Sequence, residues 1–160
     1  MAEPLRLCTF LLGGRTFALP VSEIREVVRG LEMTPVPLAP GAVRGLVNLR
    51  GTIAMAIDLR RRLDLPAAVA GEGEVSVVVD ADDGPVCLTV DDGGDVVEVN
   101  PAALERPPET LRAALRDVVR SICKREDELI LVLDTPKAID AGAPRGSTGS
   151  PRTAASAANT

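Results

Sequence analysis

"VRGLVNLRGTIAMAIDL" (residues 43–59) and "VRSICKREDELILVLDT" (residues 119–135) lie on one another without a gap when the chain is slid by 76 positions. Val43 meets Val119, Arg44 meets Arg120, and Leu46 meets Ile122. Ile53, Met55 and Ile57 meet Leu129, Leu131 and Leu133, and Asp58 meets Asp134. A second slide, of 69 positions, lays "FALPVSEIREVV" (17–28) on "VCLTVDDGGDVV" (86–97). It brings Leu19 to Leu88, Val21 to Val90, Glu26 to Asp95 and Val27-Val28 to Val96-Val97. Val and Leu recur by chance in any strand-rich chain, but two slides of similar size in the same order describe one unit used twice with different loops. The repeat predicts two similar small β-barrels, each too small to be stable alone, packed over a shared apolar core.

Working outward, short strand signals recur between Gly, Pro and Asp. "RLCTFLLG" and "RTFALPV" flank Gly13-Gly14, and "VSVVVDA" and "PVCLTVD" flank Asp82-Asp83-Gly84; both are hairpin signatures. "TIAMAIDL", "DVVEV" and "DELILVLD" read as further strands. "TLRAALRDVV" sets Leu111, Leu115 and Val118 or Val119 on one helical stripe. "VSEIREVV" fits either a short helix or a helical turn running into a strand. Asp58 and Asp134 each close a strand and precede "LRRRL" or "TPKAI", where a carboxylate accepts from the orphan amides of a helix start. Asp58 is therefore read as a structural cap. At the second site Thr135 is an alternative cap, with Pro136 at the first helical position.

Composition narrows the function. The 160 residues suit one compact domain, and the core must be aliphatic, because there is no Trp or Tyr and Phe occurs twice. With no histidine, the chain lacks the usual neutral-pH base and every Ser-His or Cys-His nucleophile pair. Cys8, Cys87 and Cys123 are scattered without a C-x-x-C, which excludes zinc and thioredoxin-like readings and fits a reducing compartment. The net charge is −5, but the tail 141–160 holds Arg145 and Arg152 and no acid, leaving −7 on residues 1–140. An acidic surface almost without aromatics offers nucleic acids neither neutralisation nor stacking. No apolar run approaches the roughly 20 residues of a membrane span, and "MAEPLRLCTFLL" lacks a cationic leader. The expected organisation is a flexible lead-in (1–6), one folded domain (7–140) and a disordered tail (141–160), in the cytoplasm and with no direct membrane insertion.

"FLLGGRTFALPVSEIREVV", "TPVPLAPGAVRGLVNLRGTIAMAIDLRRRL", "VCLTVDDGGDVVEV" and "DELILVLDTPKAI" together resemble the CheW domain of the chemotaxis coupling protein family. The likeness runs from about Leu7 to Ile139, and "VRGLVNLRG" followed by "IDLR" is its most specific part. It implies an all-β fold of two SH3-like five-stranded β-barrels around a joint hydrophobic core, with short helices. It also implies a non-enzymatic adaptor without cofactor, metal or catalytic residues. Such adaptors couple the cytoplasmic tips of methyl-accepting chemotaxis receptors to the regulatory domain of the CheA-type histidine kinase. They are associated with membrane receptor arrays only through these partners. In the family the groove between the barrels receives the receptor's helical hairpin.

The resemblance assigns Arg50 of "NLRG", with its neighbour Asn48, and Glu26 of "EIREV" to that partner-binding surface. Glu26 and Arg50 are expected near one another, with Arg50 lending donors to a partner helix or orienting Glu26. The plainer reading is a solvated strand-end arginine with its stem over Leu49. Ile24, Val27 and Val96 are candidates for the groove wall or for ordinary core packing. Gly45 and Gly51 are expected to permit close backbone approach or positive φ. The sequence departs from the family pattern at "DDGGDVV", where a mobile loop over Asp91, Asp92, Gly93 and Gly94 is expected, and at Ser121, where the family tends to have glycine.

Three other readings compete with this one. An enzyme could draw on Asp80, Asp82, Asp83, Asp91, Asp92 and Asp95, but these read as turn aspartates, and a calcium loop counted from Asp80 fails at Pro85 and Asp91. A CheW-like adaptor of another receptor–kinase pathway, in surface motility or developmental signalling, has the same sequence pattern. A regulatory domain cut from a kinase is disfavoured by the Met1 start and short lead-in.

Overall fold

The computed structural model describes residues 3–38, 41–66 and 75–140; the expected tail 141–160 lies outside them. The first half runs β1 (Leu5–Leu12), β2 (Arg15–Pro20), β3 (Ile24–Arg29), β4 (Met33–Pro35), β5 (Val43–Leu49), β6 (Thr52–Asp58) and the short helix α1 (Leu59–Arg62). The second half runs β7 (Val75–Ala81), β8 (Gly84–Val90), β9 (Asp92–Val99), β10 (Leu104–Glu105), α2 (Ala113–Val118), β11 (Val119–Arg125), β12 (Glu128–Leu133) and α3 (Thr135–Ala138). "VSEIREVV" is a 3-10 turn at Val21–Glu23 running into β3. Strand pairing also reaches into the expected lead-in, with Leu5 opposite Val99 and Arg6 opposite Glu98.

The strands form two six-stranded sheets, ordered β10-β11-β12-β2-β1-β9 and β3-β7-β8-β6-β5-β4. Each has one strand more than the five expected, and each contains a very short one, β10 or β4. The all-β reading holds, and the repeat holds with it. Replacing every strand of one sheet by its repeat partner gives the order of the other. Both joints are parallel and fall at equivalent positions, Met55 opposite Val86 in one and Leu131 opposite Phe17 in the other. Even the irregularities recur: the register slips between Val43 and Gly45 and again between Val119 and Ser121.

The sheet boundary does not follow the repeat boundary. The hairpin β1–β2 joins β9–β12, and the hairpin β7–β8 joins β3–β6. Each lobe therefore contains strands from both halves of the chain. The exchanged hairpins also fill the joint between lobes. Phe10, Leu12, Phe17 and Leu19 of one hairpin pack with Val77, Val79, Val86 and Leu88 of the other, joined by Ile57, Leu131 and Leu133. Each such side chain contributes roughly 1.5–3 kcal/mol when buried. Smaller clusters fill the individual lobes: Leu7, Ala18, Val99, Cys123, Ile130 and Val132 in one, and Val47, Leu49, Ala54, Ala56, Val78 and Cys87 in the other.

Local chemistry fixes the ends. Asp58 accepts from the amides of Arg60 (3.0 Å) and Arg61 (3.4 Å), the cap the sequence predicts. Asp134 caps α3 through the Lys137 amide (3.1 Å), so the Thr135 alternative gives way: its hydroxyl donates to Glu23 instead. Leu115 and Val118 of the predicted stripe are buried on α2, and Leu111 packs beside them.

The expected loop is overturned. "DDGGDVV" is not a loop: β9 begins at Asp92, and Gly93 pairs with Phe10 of β1. A side chain on Gly94 would place its Cβ 2.4 Å from the Thr9 hydroxyl, so this glycine admits the close approach. That hydroxyl in turn accepts from the Asp95 amide at 2.9 Å and donates to the Asp95 carbonyl at 3.1 Å.

Candidate partner-binding surface

Arg50 and Gly51 form the two-residue turn between Leu49 and Thr52, which face one another across β5 and β6. Their φ angles, 51° and 93°, are both positive, the pattern of a type I′ hairpin turn. Gly51 supplies the second of these without a Cβ penalty. Asn48 serves the turn itself, its side-chain oxygen accepting from the Gly51 amide at 2.7 Å.

This turn carries Arg50 to β3. Arg50 Nη1 donates to Glu26 Oε2 at 2.7 Å and Nη2 to Oε1 at 2.8 Å, a parallel fork. In strand order, β7, β8 and β6 separate β3 from β5, so the fork closes a distance that the sheet must curl to span. Arg50 remains 79% exposed and Glu26 only 21%. The hydrogen bond from Arg50 lowers the Glu26 pKa against the opposing effect of desolvation, and the charges of Arg50 and Arg25 act in the same direction. The pairing raises the Arg50 pKa in turn. Glu26 lies opposite Val78, a member of its lobe's own core. Burial, with a smaller effect of the Glu26 charge, pushes the Cys87 thiol up to about 11.

The second lobe cannot reproduce this pair. The repeat sets Asp95 where Glu26 stands and Glu126 where Arg50 stands, two acids in place of an acid and a base. The site is a property of one lobe.

The other candidates separate into two groups. Val27 lies opposite Val77, a member of the shared core, and so on the other face of β3 from Glu26. It is 46% exposed, and its repeat partner Val96 on β9 is 51% exposed. Ile24 is half-buried against the shared core and is part of its rim. The chain thus brings Asn48, Arg50 and Glu26 together at the tip of the β5–β6 hairpin and leaves Val27 and Val96 exposed on the terminal strands β3 and β9 of the two sheets.

Gly45 is architectural. A Cβ there would stand 2.4 Å from the Thr34 carbonyl oxygen, because β4 pairs Pro35 with Gly45. The departure at Ser121 follows from the same geometry. The equivalent strand β10 reaches only as far as Ile122, so Ser121 has room for a side chain.

Several residues near the site were not singled out from sequence for these roles. Arg29 of β3 pairs with Asp92 of β9 at 3.0 Å. Arg60 grips Asp91 through Nε (2.8 Å) and Nη2 (2.5 Å), while the Gly13 amide adds a third bond at 2.9 Å. The aspartates considered as catalytic carboxylates at 91 and 92 are thus partners of arginines. Leu46 and Ile53 stand exposed on the outer side of the β5–β6 hairpin; their period-two placement with Asn48 was the available signal. Among the described residues no group of His, Cys, Asp or Glu could hold a metal ion, and no helix is long and apolar enough to cross a membrane.

A family model for the CheW-like domain matches residues 6–143. The chain belongs to the CheW-like domain family. It is 27% identical over 135 residues to the chemotaxis protein CheW of Bacillus subtilis, covering 84% of this chain and 86% of that one. It is 28% identical over 131 residues to the chemotaxis protein CheW of Helicobacter pylori, covering 82% and 79%. The crystal structure of the scaffolding protein TtCheW from Thermoanaerobacter tengcongensis superposes with a TM-score of 0.74 at 25% identity, covering 82% of this chain and 90% of that one. This CheW-like domain is accordingly a chemotaxis coupling adaptor, from a family of scaffolds rather than of enzymes.

Proposed function

We propose that this CheW-like domain, through residues 7–140, bridges the cytoplasmic tips of chemoreceptors to the regulatory domain of a CheA-type histidine kinase. It works in the cytoplasm and reaches the membrane arrays only through those partners. The observation that carries this reading is the Arg50–Glu26 fork. A buried-side glutamate holds the guanidinium in one orientation, while most of Arg50 stays exposed with donor capacity left for a partner. Arginine so placed beside exposed aliphatic residues is the composition of a protein-binding patch. Val27 and Val96, exposed on the terminal strands of the two sheets, supply the apolar contact for a helical hairpin.

The test mixes the purified protein with the receptor-tip and kinase regulatory fragments of its own organism. A ternary complex is expected, and Arg50→Ala or Glu26→Ala should weaken receptor capture while leaving the fold intact. Undiminished capture by both folded variants would remove Arg50 and Glu26 from the interface, and absence of any complex would reject the bridging role.

A further inference from the structure

We propose that the Arg29–Asp92 ion pair is a positioning clamp that sets the spacing between β3 and β9 for the partner hairpin; this rests on the receptor-bridging reading above. The two strands are terminal members of separate sheets. They carry Val27 and Val96, equivalent in the repeat and each about half exposed. Arg29 stands two residues beyond Val27 on β3, and Asp92 opens β9 four residues before Val96. Their side chains meet at 3.0 Å, joining one lobe's edge to the other's. The Gly93 amide donates to the same Asp92 oxygen at 2.8 Å, which holds the carboxylate in place before any partner arrives.

Two further observations set this pair apart. It is not a product of the repeat: the partners of Arg29 and Asp92 are Glu98 and Glu23, two acids, so an equivalent clamp cannot form at the opposite end of the joint. Nor does its exposure, 72% for Arg29 and 53% for Asp92, suit a role in stability, since exposed pairs of this kind add little to folding. What the pair does provide is a direct contact between two edge strands whose exposed valines belong to different lobes.

The probe is the soluble helical-hairpin tip of a chemoreceptor from the same organism, titrated calorimetrically into the full chain. Arg29→Glu and Asp92→Arg singly should each weaken binding at least fivefold with unchanged thermal midpoints. The double variant, which restores an attraction with its polarity reversed, should return to within twofold of wild type. Arg29→Gln and Asp92→Asn, which remove the attraction without adding repulsion, should show a smaller loss of the same sign, and they decide the matter if a reversed variant fails to fold. Single variants that bind like wild type, or a folded double variant that stays weak, would overturn the clamp while leaving the bridging role standing. Failure of the wild-type protein to bind would overturn the bridging role and the clamp together.

Discussion

Arg50 and Glu126 hold the same left-handed backbone conformation, with φ of 51° and 52°, at the tips of two hairpins related by the internal repeat. A side chain in that region costs about 1–2 kcal/mol in local sterics, which glycine avoids. Arg50 is retained there with its fork to Glu26. Glu126→Gly should therefore stabilise the protein, by about 0.5 kcal/mol once the freer unfolded chain is allowed for. Urea denaturation followed by circular dichroism reads this directly. Arg50→Gly should show a smaller gain or a loss, because the fork disappears with the strain.

Asp91 should make the protein acid-sensitive. Burial alone would raise its pKa, but the hydrogen bonds from Arg60 and the Gly13 amide, with the Arg60 charge, outweigh it and lower the pKa. A carboxyl with a depressed folded pKa contributes stability above its unfolded pKa, and that contribution is lost as pH falls through the folded one. Urea midpoints should thus fall on acidification from about pH 5 downward in wild type and fall less in Asp91→Asn. At neutral pH, Asp91→Ala should cost about 1–2 kcal/mol, since it removes the carboxylate paired with the part-buried Arg60 guanidinium, which keeps its bond to the Pro66 carbonyl.

Gly45 and Ser121 occupy equivalent positions and should respond oppositely to a side chain. Gly45→Ala drives a Cβ into the Thr34 carbonyl, and main chain cannot move aside cheaply, so a loss of about 2 kcal/mol or more is expected. Ser121→Gly meets no such barrier and should cost at most about 1 kcal/mol, through backbone entropy. Comparing the two variants by denaturant titration checks both.

The thiols offer a probe of unfolding in a chain without Trp or Tyr. Cys8 is half-buried, while Cys87 and Cys123 are buried. Burial raises the Cys8 thiol too, and the Cys87 thiol stands at about 11. Native protein at pH 8 should therefore react with a disulfide reagent slowly and at Cys8 first, and urea should release all three thiols together. Prompt labelling of Cys87 in the native state would contradict its burial against the lobe interior.

Much of the fold was legible because strand signals are local. Gly13-Gly14 and Asp82-Asp83-Gly84 mark hairpins by backbone preference alone, and Asp58 caps α1 through bonds only two and three residues away. The reading failed at "DDGG", where local preference for a loop is overridden by the partner strand: β1 accepts Gly93 and Gly94 into a ladder that no local rule foresees. At the site, the family resemblance pointed to Glu26 and Arg50. Asn48 was also named, but its side chain is spent on the turn. Arg29, Arg60 and their aspartates were missed as ion pairs because their partners lie 63 and 31 positions away.

The amino-acid sequence by itself determined that the chain is built of strands, that one unit is used twice, and that its core is aliphatic. Period, turn residues and composition are written into neighbouring positions. Only the tertiary structure decided that the hairpins exchange between the halves, that Arg50 meets Glu26 in a two-bond fork, and that Arg29 joins the two lobes through Asp92. Those outcomes depend on which distant strands lie side by side, and that is fixed by packing the exchanged hairpins into one joint core rather than by any local preference of the chain.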